Sequence, residues 1–244
     1  MYINNIHVLW YFFIGLLGIF VGQFMDWANP RLSNHQKVVC KEFFKQYLPN
    51  FKLNAKLIYP MALIYIALLY YLGWSIKLIE FVILTPMFLS VFVIDYRKQI
   101  IPNRLSLSIF EVGLIFAFIA GLTNFNLFLD KIIGLVAGGG IFLIITLIGG
   151  LIAGKEAMGF GDVKLMCGLG LIFGWLDVVM IAVVSFLIGA IISIILLVSK
   201  KKKTDEYIPF GPFIIIATFL VLFVPQNIIL LALFKIFTLG MYKE

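Results

Sequence analysis

The 244-residue sequence is short of charge, with 13% of its residues Asp, Glu, Lys or Arg, about half the ~25% usual in soluble domains. Too few polar groups exist to cover a folded surface in water, and an ordinary soluble globule is excluded. Cysteine is equally scarce. Cys40 and Cys167 stand far apart and form no C-x-x-C pair, which leaves neither a disulfide framework nor a four-cysteine zinc site. His7 and His35 show no ligand spacing with any carboxylate or cysteine. The sequence carries no internal repeat and no low-complexity segment.

Apolar residues are abundant, at 63%, with a mean hydropathy of +1.09. Apolar stretches at 7–25, 57–73, 77–94, 105–122, 131–153, 163–176, 178–199 and 211–238 predict an all-α membrane protein, a polytopic bundle of about eight transmembrane helices. The sixth stretch is short and Gly-rich, and Pro225 offers a bend in the last. No Lys or Arg precedes the first stretch and no small-residue cleavage pattern ends it, which reads as a retained helix rather than a signal peptide.

With the N-terminus outside, all 19 Lys and Arg residues except Lys77, Lys131, Lys235 and Lys243 fall on the cytoplasmic side, as the positive-inside rule demands. The net charge of +7 therefore serves topology, and no nucleic-acid partner is expected. Lys200 to Lys203 set orientation and meet anionic headgroups. The glycines at 138, 139, 140, 149, 150 and 154 predict close helix packing in and after the fifth span.

Acidic residues number 12, and each one at or inside hydrocarbon needs a partner, a proton or a purpose. Glu42, Asp205, Glu206 and Glu244 lie in polar segments; Asp130 and Asp177 fall in predicted external connections, where solvation accounts for them. Glu80 and Glu111 lie within predicted helices and belong near an interface, protonated or paired.

Asp95 and Asp162 differ, because one closes the third span and the other opens the sixth, both on the cytoplasmic side. Two carboxylates held close in a partly dry site share a proton, one acting as base on water and the other as acid. For Asp162 a second reading stands, an N-cap of the sixth helix. Gly159 and Gly161 beside it admit close backbone approach. The run from Asp95 to Asn103 also reads as a plain cytoplasmic turn, in which Pro102 stops one helix and starts the next.

Taken together, Asp95 with Ile101-Pro102-Asn103, then Gly159-Phe160-Gly161-Asp162-Val163-Lys164-Leu165, then Ile208-Pro209-Phe210-Gly211-Pro212 resemble the type IV prepilin peptidase family. These are the bacterial leader peptidase/N-methyltransferases, membrane aspartyl proteases of the G-x-G-D type. A lone G-x-G-D is a weak signal, whereas three motifs in register are strong. The resemblance implies that Asp95 and Asp162 activate water and cut the leader of prepilin or pseudopilin-like substrates at the cytoplasmic face of the bacterial cytoplasmic membrane. It also implies an active-site loop of Gly159, Phe160, Gly161 and Lys164, with no cofactor for proteolysis. Two rivals remain: a proton-coupled transporter, which would hold its carboxylates near mid-bilayer and show repeats, and an inactive pilus-assembly scaffold.

The chain also departs from that family. Many members carry two C-x-x-C pairs in the first cytoplasmic loop and methylate the new N-terminus with S-adenosylmethionine. Here the loop holds only Cys40, and Gln23, Asp26 and Ser33 replace the more usual Ser, Asn and Pro. No zinc is expected, and methylation rests on kinship alone. Residues 1–56 read as a degenerate counterpart of the zinc and methyltransferase region, and 57–244 as the peptidase core. Asp26 either substitutes for the family's Asn or caps the loop. Glu156 either joins the site or is a solvated acid beside Lys155; Lys164 either steadies the loop or anchors topology.

Overall fold

The computed structural model describes residues 2–4, 6–34, 36–38, 55–153, 158–199 and 208–238. Cys40, His35, Glu42, Lys155, Glu156, Lys200 to Lys203, Asp205, Glu206 and Glu244 lie outside the described residues, as do most of the first basic loop and Gly154. Among the described residues the chain forms a two-residue hairpin, β1 (Tyr2–Ile3) with β2 (Ile6–His7), and nine helices. These are α1 (Val8–Ser33), α2 (Ala55–Leu72), α3 (Ile76–Lys98), α4 (Asn103–Thr123), α5 (Phe125–Ala153), α6 (Phe160–Phe173), α7 (Trp175–Val198), α8 (Gly211–Phe223) and α9 (Gln226–Phe237). The protein is all-helical in its core, and α1, α3, α4, α5 and α7 are long and apolar enough to cross a bilayer. Backbone polar groups in hydrocarbon must be satisfied within the segment, which is why membrane spans of this kind are helices.

The expected eight stretches need one correction, at 211–238, and the sixth is short as expected. The stretch 211–238 is two helices, because Val224 leaves helical geometry and Pro225 stands as the N-cap of α9; proline cannot supply the amide that would continue α8. The 14 residues of α6 rise only about 21 Å, short of the ~30 Å hydrocarbon core. Helix α1 also runs to Ser33 through Pro30, past the apolar limit at residue 25. Its polar extension is buried at Asn29 and Ser33, so hydropathy alone ended it too early.

The chain divides into two compact units, Met1–Val112 and Gly113–Glu244, with the boundary inside α4. In the first, the hairpin pairs Tyr2 with His7, and His7 Nδ1 caps α1 by accepting from the Leu9 amide at 3.4 Å. Helices α1 and α2 approach through glycine: a Cβ on Gly18 would lie 2.7 Å from Ala62 Cα, and one on Gly22 would lie 2.9 Å from Ile58 Cα. The Tyr65 hydroxyl donates to the Val82 carbonyl at 2.6 Å and joins α2 to α3. In the membrane such close approach replaces the hydrophobic drive that packs helices in water.

In the second unit α5 and α6 meet the same way. A Cβ on Gly134 would lie 2.5 Å from the Gly170 carbonyl, and one on Gly138 would lie 2.6 Å from the Met166 carbonyl. A Cβ on Gly139 would collide with Cys167 Sγ, whereas one on Gly140 would meet nothing within 4 Å. The expected packing role of the glycine run therefore holds at 138 and 139 but not at 140. Helix α6 ends at Gly174, whose φ of 89° suits glycine alone among common residues.

Asp130 and Asp177, expected in solvated connections, sit within α5 and α7. The Asp130 carboxylate fills the space that a Cβ on Gly174 would need. Its neighbour Lys131 donates to the Leu171 and Ile172 carbonyls at 3.3 and 2.7 Å, closing the C-terminus of α6 with a cation as the helix dipole favours. Asp177 accepts from the Gln226 amide at 2.6 Å and links α7 to α9.

Gly139→Ala should lower stability by about 1–3 kcal/mol through overpacking against Cys167, and Cys167→Ala in the same chain should restore most of the loss. Gly140→Ala should cost nothing. Thermal unfolding of the purified variants in detergent measures all three.

Candidate active site

In the first unit, Asp95 stands one turn from the end of α3 and is only 3% exposed. The helix stops because Gln99 takes a left-handed conformation, φ 57° and ψ 35°, and its amide donates to the Asp95 carbonyl at 2.8 Å. This is a single-bond C-cap built without glycine. Ile100 and Ile101 lead to buried Pro102, whose carbonyl accepts from the Leu105 and Ser106 amides at 2.9 and 3.2 Å and starts α4 at Asn103. The Asp95 to Asn103 motif is thus a compact helix-to-helix turn with its carboxylate residue buried.

Beside this turn a pocket of about 120 Å³ opens between the C-terminal ends of α1 and α3. Asn29, Pro30 and Ser33 line it from α1, and Val93, Ile94, Arg97 and Lys98 from α3. Asn29 is 6% exposed, and neither polar atom of its amide has a hydrogen-bond partner. An orphaned buried polar group costs about 1–3 kcal/mol. Lys98 Nζ donates to Asn34 Oδ1 at 2.5 Å, and the Ser33 hydroxyl donates to the Pro30 carbonyl at 2.9 Å. Nothing in the sequence alone distinguishes Asn29.

In the altered family region, Gln23 is buried and Asp26 half-buried on α1. The chain beyond α1 is held by Trp27 Nε1 donating to the Val38 carbonyl at 3.0 Å and Arg31 Nη1 donating to the Lys37 carbonyl at 3.3 Å. The Arg31 guanidinium also stacks 3.9 Å from the centre of the Trp27 ring, a cation–π pair. Among the described residues no group of three or more His, Cys, Asp or Glu could hold a metal ion.

In the second unit, Asp162 belongs to the first turn of α6, 3% exposed. It is not the N-cap. Gly159 takes that place in extended geometry, φ −72° and ψ 140°, with no side-chain cap, and its carbonyl accepts from the Asp162 amide at 3.1 Å. The helix dipole favours a carboxylate in this turn, but burial shows a side chain turned away from the solvated role of an ordinary cap. The φ of Gly159 is negative, and Gly161 is absent from the positive-φ residues. Neither glycine is needed for a left-handed backbone. Phe160 and Lys164 are exposed on either side.

The third motif is also ordered within this unit. Phe210 caps α8, its carbonyl accepting from the Phe213 and Ile214 amides at 3.0 and 3.2 Å, and Pro212 lies in the first turn, where proline is tolerated. Pro209, Gly211 and Pro212 are buried. The Phe210 ring packs against Phe142, Phe186 and Phe213 at centroid distances of 6.0, 5.0 and 5.8 Å. Glu80 is buried on α3 and Glu111 exposed on α4.

Comparison with known proteins gives a consistent result. Residues 82–194 match the type IV leader peptidase family, a stretch that contains Asp95, Asp162 and the first two motifs but not Pro209 to Pro212. The chain is 31% identical over 150 residues to a prepilin leader peptidase/N-methyltransferase of Aeromonas hydrophila, covering 62% of this chain and 50% of that protein. It is 33% identical over 162 residues to one of Legionella pneumophila, covering 66% and 55%. It is 31% identical over 172 residues to one of Pseudomonas aeruginosa, covering 67% and 57%. The chain spans about half the length of the curated relatives it matches. No solved structure matches. The resemblance read from the motifs is borne out.

Replacing Gln99 with Gly should raise stability by about 1 kcal/mol, since the left-handed turn after Asp95 then carries no Cβ. Thermal unfolding in detergent reads the gain, and an unchanged or lower midpoint would count against the strained cap.

Proposed function

We propose that the chain is a membrane-embedded aspartyl endopeptidase that removes the leader peptide of type IV prepilin-like proteins at the cytoplasmic face of a bacterial cytoplasmic membrane. One observation carries this reading: Asp95 and Asp162, each buried at a helix end, both lie in the stretch that matches the leader peptidase family. A buried carboxylate is costly and is retained where it has chemistry to do.

In this mechanism one of Asp95 and Asp162 works ionised and the other protonated. The ionised carboxylate takes a proton from water as its oxygen attacks the scissile carbonyl, and the protonated one gives a proton to the departing amine. Gly159 and Gly161 leave the approach to Asp162 open for an extended substrate. Lys164 marks the exposed face of that turn, and the Pro102–Asn103 and Pro209–Pro212 segments fix the starts of α4 and α8. The N-terminus lies outside. Residues 1–56 form the reduced counterpart of the relatives' N-terminal region, and 57–244 the peptidase core.

Methylation of the new N-terminus is the second activity in the relatives' names. In this chain Ser33, one of the altered residues, lines the pocket between α1 and α3. The Trp27 and Arg31 bonds supply to the chain beyond α1 the kind of bracing that a structural zinc gives elsewhere.

Asp95→Asn and Asp162→Asn should each abolish cleavage of a prepilin-like substrate by the detergent-purified protein, with expression and unfolding temperature kept. Mass spectrometry of the product reads cleavage, and, with S-adenosylmethionine added, any gain of one methyl. Near-parental processing by either variant would sink the two-aspartate mechanism.

A further inference from the structure

Glu111 has no part in the chemistry proposed above, yet it stands where a carboxyl is hardest to keep. Helix α4 is long and apolar enough to cross a bilayer, and Glu111 lies eight residues from Asn103 and twelve from Thr123, roughly 12 and 18 Å from the two ends. Long Lys and Arg side chains reach water across such gaps, and the two methylenes of Glu do not. The side chain is exposed and, among the described residues, makes no hydrogen bond or ion pair. Its place on the helix is equally clear. Leu105, Ile109, Gly113 and Ala117, four residues apart, form the buried face of α4, while Leu107, Leu114, Ile115, Phe118 and Leu122 are exposed on the opposite side, with Glu111 at the centre of that outward stripe.

We infer that this stripe is the interface with a second copy of the chain, in which the two Glu111 carboxyls hydrogen-bond to one another. The inference is independent of the peptidase reading. A polar group in hydrocarbon needs a mate at its own depth, and a copy inserted in the same orientation supplies one, because a two-fold axis along the membrane normal brings each residue of α4 level with its counterpart. A neutral carboxyl holds one donor and further acceptors, so two of them satisfy each other, each donating to its mate. The order Leu107, Glu111, Leu114, Phe118 steps by four, three and four residues, the spacing of a seam between two helices at a shallow crossing angle, where one polar residue fixes the register. Beside the seam a groove of about 420 Å³, lined by Leu114, Ile115, Phe118, Ile119 and Phe128, has room for side chains of the other copy. Lipid tails would also fill that groove, but they offer Glu111 neither donor nor acceptor.

The test uses the full chain in vesicles of phosphatidylethanolamine and phosphatidylglycerol, with donor-labelled and acceptor-labelled copies mixed and energy transfer followed as lipid is added. The parental chain should dimerise. Glu111→Leu should raise the dissociation constant about tenfold, whereas Glu111→Gln, whose amide keeps a donor and an acceptor, should stay within about twofold of the parent. In a Cys40→Ser, Cys167→Ala background, Leu114→Cys should form a disulfide-linked dimer on oxidation, and Ile194→Cys, exposed on α7, should not.

Energy transfer at the chance level at every lipid ratio would overturn the proposal, since a face covered by lipid or by another protein leaves the purified chain monomeric. Parental affinity in Glu111→Leu would overturn the role of the carboxyl, and a loss in Glu111→Gln as large as in Glu111→Leu would overturn the mutual hydrogen bond. Crosslinking through Ile194→Cys in place of Leu114→Cys would put the contact on another helix and overturn the stripe. Because Glu111 faces outward, both of its variants should keep the parental circular dichroism and unfolding temperature in dilute detergent, which separates lost pairing from lost folding.

Discussion

Apolar side chains gain little by leaving lipid for one another, so helices in a membrane are held by how closely their backbones meet. That constraint governs the second unit. Gly134 and Gly170 bring α5 and α6 so near that a Cβ on Gly170 would strike the Gly134 carbonyl, and Gly138 continues the contact at Met166. Asp162 lies two turns before Gly170 on the same short helix, and its position is set by this glycine seam. Lys131 and Asp130, from the far end of α5, fix the other end of α6. A buried carboxylate is thereby placed by backbone contacts made elsewhere along its helix.

The first unit solves a related problem with different means. Asp95 sits where a helix is ending, and helix ends leave carbonyls unmet. The left-handed turn at Gln99 meets one of them, the Asp95 carbonyl itself, and Pro102 then fixes the start of the next helix. The buried Asp95 is therefore also part of the hydrogen-bonded stop. Beyond α1, Trp27 and Arg31 tie the following chain back by main-chain bonds.

Much of this was legible in the sequence because membrane helices are written in composition. The apolar runs located the helices apart from the break between α8 and α9, and the order of three motifs pointed to the family that the comparisons match. What escaped had physical reasons. Hydropathy ended α1 at residue 25 because it cannot see that Asn29 and Ser33 are buried. It joined α8 and α9 because a single proline changes mean hydropathy little. It assigned Asp130 and Asp177 to solvent because charge beside a run of apolar residues looks like a loop, whereas here Asp130 packs against Gly174 and Asp177 bonds a neighbouring helix. The Asn29 amide left no trace at all, since an orphaned polar group is a property of packing and not of pattern. The N-cap reading of Asp162 failed for a local reason: Gly159, three residues earlier, already holds the cap.

Between α6 and α7 the chain places one residue, Gly174, in a backbone conformation closed to larger side chains. A joint that short works as a stiff elbow. Any axial slide of α6 would have to be transmitted at once to α7 and, through the Asp177–Gln226 bond, onward to α9. Motion that reached Asp162 would thus be felt by three helices together, along a mechanically continuous strut rather than at a loose end.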